Sequence, residues 1–496
     1  MADHNCASHG PCPVPPHPDA LKAYLESESK NIPTSHRHLS VDQSITRPYG
    51  LNDGTLSPPR PKFDGSRRES AKPQPPLRGT LRLLIVLTSF KDVPLRPDAA
   101  QHFKNIFFSR NEVKPGNNIK TGSVAEYYEE VSGGLVTITG DIYGPYVLPE
   151  TVGFYAQDGW GSKNKAADDH TNNPNAQTMA DHALDALLKD QPGIDLRQYD
   201  NPTRPGSVDG FVVVHAGEGG ELHLGEPEKY IWSVQWALKK QRFVGKSNTG
   251  VYAFLTLPED ARTGVCAHEL GHLVFQWPDL YGKTLHERGV GHWCVMSNGS
   301  WNTVPGAQAG DVPCHPSAWL KMQQGWIEVQ KAKGSLKSVL LNDVKATVNG
   351  GIKLATNSKG VGGTYRLWTK GNEFGNEFFL IETRTHHGFD ASLPGEGLLI
   401  WHIQDNRTPD ELYNFKVTLL NADFQSTGMP VSHEKYIDGP GCPFPGTAGN
   451  RSFTGKTTPS SVSYKNEDTM VSVTNISDAG PTMSMDLSVE VARAKL

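Results

Sequence analysis

Apolar positions along the chain fall into three regimes. Through residue 80 large apolar side chains are sparse, except over residues 19–30, where Leu21 and Tyr24 or Leu25 share one side of a short helix that needs a partner surface to persist. Over residues 81–90 the aliphatics run without interruption, as a strand covered on both faces requires. Ser123 and Glu126 have capping-box spacing ahead of a helix over 124–131; Gly133 and Gly134 stop it, and 135–143 resumes as a strand. Met179, Ala183, Leu184, Leu187 and Leu188 keep a helical period, and 211–215 and 251–257 read as further buried strands. Beyond Trp326 short strands separated by turn residues follow at 338–341, 365–369, 377–383, 397–403, 416–420, 470–473 and 482–489. This pattern predicts an α+β chain with three parts. Residues 1–80 form a Pro-rich, largely disordered segment, 81–330 a mixed α/β unit, and 331–496 a β-rich, sandwich-like module.

Composition removes several function classes. At 496 residues the chain is too long for one ordinary core, and residues 1–80 hold 13 of its 36 prolines. The 48 Lys+Arg against 53 Asp+Glu give a net charge of −5 with neither sign in a long block, so nucleic acid and anionic bilayers are not expected partners. The longest aliphatic run, 83–87, is far short of a membrane span. Pro11, Pro13, Pro15, Pro16 and Pro18 stand where a secretory leader would be apolar, so no cleavable export peptide is expected. Gly360 to Gly363 lack the Lys-Ser/Thr of a phosphate loop. Cys6, Cys12, Cys266, Cys294, Cys314 and Cys442 leave the redox compartment open.

The chemistry sits in His268-Glu-Leu-Gly-His272. Four residues on a helix turn through about 400° and rise roughly 6 Å, so both imidazoles leave the same face and can grip one ion. Zinc takes such nitrogen ligands and keeps an open position for water when the protein supplies three groups. Glu269 is placed to take that water's proton and pass it to a departing amine. Asp279, directly after the Trp277-Pro278 helix stop, is the favoured third ligand; His286, Glu287 and His292 are alternatives further on. Met296, in a glycine-containing turn, either floors the site or is an ordinary core methionine. Cys294 and Cys314 flank that turn as a bridge or as two buried thiols. Cys6, His9, Cys12 and His17 could hold a metal of their own, or a thiolate there could plug the catalytic site.

The chain resembles the immune inhibitor A family of zinc metalloproteases. The likeness runs through His268 to His272, Trp277-Pro-Asp-Leu-Tyr281, Gly291-His-Trp-Cys-Val-Met-Ser-Asn-Gly-Ser-Trp301 and Pro316-Ser-Ala-Trp-Leu-Lys-Met-Gln-Gln-Gly-Trp326, with weaker matches from residue 81 to about 490. It implies that His268 and His272 bind Zn2+, that Glu269 is the general base, and that the substrates are proteins or peptides cleaved by a monomer. Three departures stand out. The family's Gly-Leu-Pro-Asp is Phe275-Gln-Trp-Pro-Asp279, one residue longer and without the glycine. The loop at 201–207 lacks the carboxylates that Ca2+ needs, so family calcium sites are not carried over. Val234 stands where a histidine is frequent. The resemblance implies an extracellular protein, against the absence of an export signal, so the location stays open. The rival function is a catalytically silent surface-binding protein with a structural zinc, which an intact Glu269 disfavours because structural sites prefer a fourth protein ligand.

Overall fold

The computed structural model describes residues 12–31, 77–110, 122–157, 159–162, 174–202, 205–244, 248–281, 289–327, 329–343, 361–405, 416–424 and 437–491. Within the Pro-rich stretch, β1 (Cys12–Pro13) and α1 (Pro18–Asn31) belong to the folded body, and Leu21 of α1 is buried as its apolar contact. Then come β2 (Gly79–Ser89), α2 (Ala99–Phe108), α3 (Val124–Val131), β3 (Val136–Val147), α4 (Val152–Ala156), α5 (Ala176–Asp190), β4 (Gly210–His215), β5 (Val234–Phe243), β6 (Gly250–Pro258) and α6 (Thr263–Phe275). The six strands form one sheet in the order β1-β5-β6-β4-β2-β3. Strands β3, β2, β4 and β6 are parallel, whereas β5 and then β1 are added antiparallel at one edge. The uninterrupted aliphatics at 83–87 are all fully buried, as a strand with both faces covered must be.

Two helices set the site. The predicted capping box starts α3: Ser123 Oγ accepts the Glu126 amide at 3.2 Å and Glu126 Oε2 accepts the Ser123 amide at 3.0 Å. From α3 the Tyr128 hydroxyl donates to the Ala267 carbonyl at 2.5 Å, fixing α3 against α6. Every residue of α6 is buried. Its first turn comes so close to the Ser300 carbonyl that a Cβ at Gly264 would collide with that oxygen, and the Gly264 amide donates to Gly310 at 2.7 Å. At its far end Gln276 adopts the left-handed conformation (φ 58°, ψ 33°), and the Trp277 amide closes back on Gly271. No glycine stands at this left-handed position; Gln276 itself takes it.

Beyond α7 (Ala318–Gln323) the chain is β-rich, as the turn-punctuated pattern predicts. The strands are β7 (Gln330–Lys331), β8 (Gly334–Asn342), β9 (Val361–Gly362), β10 (Tyr365–Trp368), β11 (Glu377–Arg384), β12 (Gly397–Gln404), β13 (Val417–Leu420), β14 (Val471–Thr474) and β15 (Thr482–Val489). They make a five-stranded sheet, β13-β12-β11-β10-β7, and a four-stranded one, β14-β15-β8-β9. Alternation along β11 and β12 gives the five-stranded sheet two buried faces. Phe379, Ile381, Leu398 and Ile400 pack with Leu341, Val473, Met483, Met485 and Leu487 of the second sheet. Phe378, Leu380, Leu399 and Trp401 join the apolar core that extends under α6. The result is a three-layer stack in which the middle sheet is shared.

A buried ionic network crosses that shared layer. The Arg384 guanidinium lies between Glu382 and Asp390, Asp390 also accepts the His315 amide at 2.9 Å, and Lys321 of α7 reaches Glu382 at 3.5 Å. Arg384, Glu382 and Asp390 are fully buried, so removing one partner strands a charge in the interior. Asp390→Ala is expected to destabilise the protein by about 3–5 kcal/mol, read as a lowered midpoint of denaturant unfolding; a loss of under about 1 kcal/mol would show that the network is dispensable. Gly264→Ala is expected to lower the melting temperature as well, because the Ser300 backbone has to give way.

Candidate metal centre

On α6 His268 and His272 stand one turn apart, with ring centroids 4.8 Å apart and planes at 82°. Each Nδ1 faces a main-chain carbonyl: His268 the Val295 oxygen at 2.8 Å, His272 the Trp277 oxygen at 2.6 Å. A carbonyl only accepts, so each Nδ1 carries a hydrogen, and in the neutral ring Nε2 then keeps its lone pair. The two Nε2 atoms are 3.1 Å apart, and Asp279 Oδ1 lies 3.1 Å from one and 3.2 Å from the other. Burial holds the His268 imidazole below its usual pKa, against the opposing pull of Asp279. For Asp279, burial alone would raise the carboxyl, but the two histidines outweigh it and hold it ionised below the usual range. With both rings neutral, three electron-pair donors therefore converge in one buried space. A divalent cation satisfies that arrangement, and among the described residues this is the sole group of three His, Cys, Asp or Glu side chains so placed.

Glu269 is also fully buried, and neither of its carboxylate oxygens makes a hydrogen bond. Burial first, then the charge of Asp279 and then of Glu221, pushes its pKa well above the ordinary range, while the amides of Val14 and Gln235 face it and favour the ion. An unpartnered carboxylate in a dry interior is costly unless something binds against it. Behind it, Glu221 accepts the Ser233 hydroxyl at 2.6 Å and the Ser233 amide at 3.1 Å, and burial raises it to about 7. No spacing in the sequence points to Glu221, which reaches the site through the chain path between β4 and β5.

The remaining candidates fall in different places. Met296 packs under α6 so closely that a Cβ on Gly271 would lie 2.7 Å from its sulfur, which puts the thioether beneath the turn between Glu269 and His272. Cys294 and Cys314 are free, buried thiols: the first accepts the Ser317 amide at 3.3 Å, the second donates to the His292 carbonyl at 3.3 Å. The His292 ring is outside the cluster, its Nδ1 2.5 Å from Asn302 Oδ1, and its main-chain amide donates to Asp438 at 2.8 Å. His286, Glu287, Cys6 and His9 lie outside the described residues. His17 stacks edge-on against Trp301, with centroids 4.9 Å apart. At the loop after Asp200, Asp200 Oδ2 accepts the Gly206 amide at 2.7 Å and the Thr249 hydroxyl at 2.8 Å, and Asp209 accepts the Asn201 amide at 2.5 Å. Val234 lies in β5 opposite Pro13 of β1.

Comparison with known proteins places this geometry. Residues 96–327 match the catalytic domain of the immune inhibitor A peptidases, M6. Over 245 residues the chain is 30% identical to the pre-pro-metalloprotease PrtV of Vibrio cholerae serotype O1, covering 44% of this chain and 25% of that protein. Over 240 residues it is 28% identical to immune inhibitor A of Bacillus thuringiensis subsp. alesti, covering 43% of this chain and 33% of the relative. The chain thus spans a quarter to a third of the length of these relatives. No helix among the described residues is long and apolar enough to cross a membrane. The matched segment, residues 96–327, carries α6 and all three side chains of the His268, His272 and Asp279 cluster.

Proposed function

We propose that the protein is a zinc-dependent endopeptidase in which His268, His272 and Asp279 hold the ion and Glu269 is the general base. The observation that carries this reading is the convergence of three lone-pair donors beside a carboxylate with no partner of its own. Two imidazole nitrogens and one carboxylate oxygen suit zinc and leave a coordination position open. When bound, zinc supplies a water acidified to near neutrality and polarises a carbonyl. Glu269 takes the proton from the attacking water, the carbon–nitrogen bond of the peptide breaks, and Glu269 returns the proton to the departing amine. Val295 and Trp277 keep both imidazoles in the tautomer that can bind, and the buried Met296 keeps the helix from shifting beneath them.

Proteins or peptides are the proposed substrates, cleaved outside the cell as the family resemblance implies, by a monomer. Residues 81–330 are the proposed catalytic unit, with 331–496 bracing it. Glu269→Gln keeps the shape of the side chain and removes the base. It is expected to lower casein hydrolysis by roughly 10²- to 10⁴-fold while one zinc per chain remains bound by elemental analysis. His272→Ala and chelation are each expected to remove both metal and activity, with zinc restoring the chelated protein alone. Full activity of the Glu269→Gln chain would rule out this assignment of the base.

A further inference from the structure

The buried centre is roofed by polypeptide. Residues 13–16 lie across it, all four buried, and β1 adds antiparallel to the edge strand β5 with Cys12 opposite Gln235 and Pro13 opposite Val234. Side-chain donors read three successive carbonyls of this segment. The Tyr281 hydroxyl donates to the Pro13 oxygen, the Trp232 indole to the Val14 oxygen at 2.9 Å, and the Trp301 indole to the Pro15 oxygen at 2.7 Å. Tyr281 also stacks on His268 of the metal cluster, with centroids 6.3 Å apart. Across residues 13–16 the one main-chain donor is the Val14 amide, which gives its hydrogen to the Ser233 carbonyl at 3.2 Å. Pro13, Pro15 and Pro16 have no amide hydrogen to leave unsatisfied, and their fixed φ reduces the entropy lost on docking. The next donor, the His17 amide, meets the Glu221 carbonyl at 3.0 Å.

Resting on the peptidase reading above, we propose that this groove selects extended, proline-flanked peptides in the register that residues 12–16 hold, with the Pro13–Val14 bond at the cleavage position and Tyr281 as the donor to its carbonyl oxygen. One contact sets this register: the oxygen of that bond is the one held by Tyr281, whose ring stacks on His268 of the cluster. A hydroxyl already aimed at the carbonyl oxygen is suited to stabilise the negative charge that grows there as water adds to the carbon. Trp232 and Trp301 grip carbonyls on the leaving-group side and act as positioning residues. The chain's own segment has to vacate the groove before a substrate enters.

The test uses the full chain carrying Val14→Asp, which places a charge in the buried position, and separately Pro15→Gly, which loosens the segment without a charge. Melting curves confirm folding of each. A fluorescein-labelled heptapeptide of residues 12–18 (Cys-Pro-Val-Pro-Pro-His-Pro) and its counterpart with alanine at every proline are titrated by anisotropy. The proline peptide is expected to bind both released chains about tenfold or more tighter than the alanine peptide. Adding Trp232→Phe is expected to weaken binding about tenfold. Adding Tyr281→Phe is expected to lower kcat for a Pro-Val peptide far more than it raises KM. Equal binding of the two peptides, or no binding, overturns the groove assignment even if casein is cleaved. Selective binding without hydrolysis of any peptide leaves the groove assignment standing and removes the peptidase reading on which its cleavage register rests.

Discussion

Two carbonyl oxygens decide what this site can be. Val295 and Trp277 each accept the Nδ1 hydrogen of one histidine, and that fixes which nitrogen of each ring is bare. With Nδ1 free to lose its hydrogen, the two Nε2 atoms could share a proton with Asp279 and form an ordinary buried polar knot. With Nδ1 committed, the neutral rings and Asp279 bring three donors of electron pairs to within about 3 Å of one another, an arrangement that a divalent cation satisfies. The carbonyls come from segments with little backbone freedom: one next to Met296, wedged under Gly271, the other in the left-handed turn that ends α6. Helix packing, turn conformation and ligand chemistry are therefore one constraint.

The β-rich region enters the same constraint through the core. Because β11 and β12 bury alternate side chains on opposite faces, the five-stranded sheet walls the core beneath α6 on one side and is half of a sandwich on the other. The ionic network of Arg384, Glu382, Asp390, His315 and Lys321 sits where these layers meet, and His315 extends it to Glu130 of α3 at 2.8 Å. Helix α3 in turn holds α6 through Tyr128. An unbroken chain of contacts thus runs from the middle sheet to α6. Charged groups at such a depth add little net stability compared with apolar packing, but they tolerate few alternative arrangements.

What could be read from the sequence follows from the range of the forces involved. The 3.6-residue period that puts His268, Glu269 and His272 on one helix, the capping box at Ser123 and the period-two strands after Trp326 are local, and each has its predicted place in the fold. Asp279 is close enough in sequence for a helix stop to aim it, and it joins the two histidines whereas His292 does not. Glu221 carried no such signal, since its approach to Glu269 depends on the path of the chain between β4 and β5. Residues 12–16 were least legible of all. A proline cluster has the composition of disordered chain, and only the structure reveals an edge that needs carbonyls more than amide hydrogens.

That edge also bears on the logic of the sheet. A strand such as β5, left open, presents unpaired main-chain groups that invite indiscriminate pairing, and folded proteins commonly cover, twist or charge such edges. A peptidase that binds extended chains has the opposite need, because the open edge is where its substrate adds. A short proline-bearing cover reconciles the two. It satisfies Ser233 with one amide and three aromatic donors with three carbonyls. Yet it forms only a two-residue ladder, since proline cannot extend one. A longer, fully hydrogen-bonded strand would hold the edge more tightly and yield it less readily. The proline content that makes this segment look unstructured is thus what suits it to a cover that can be displaced.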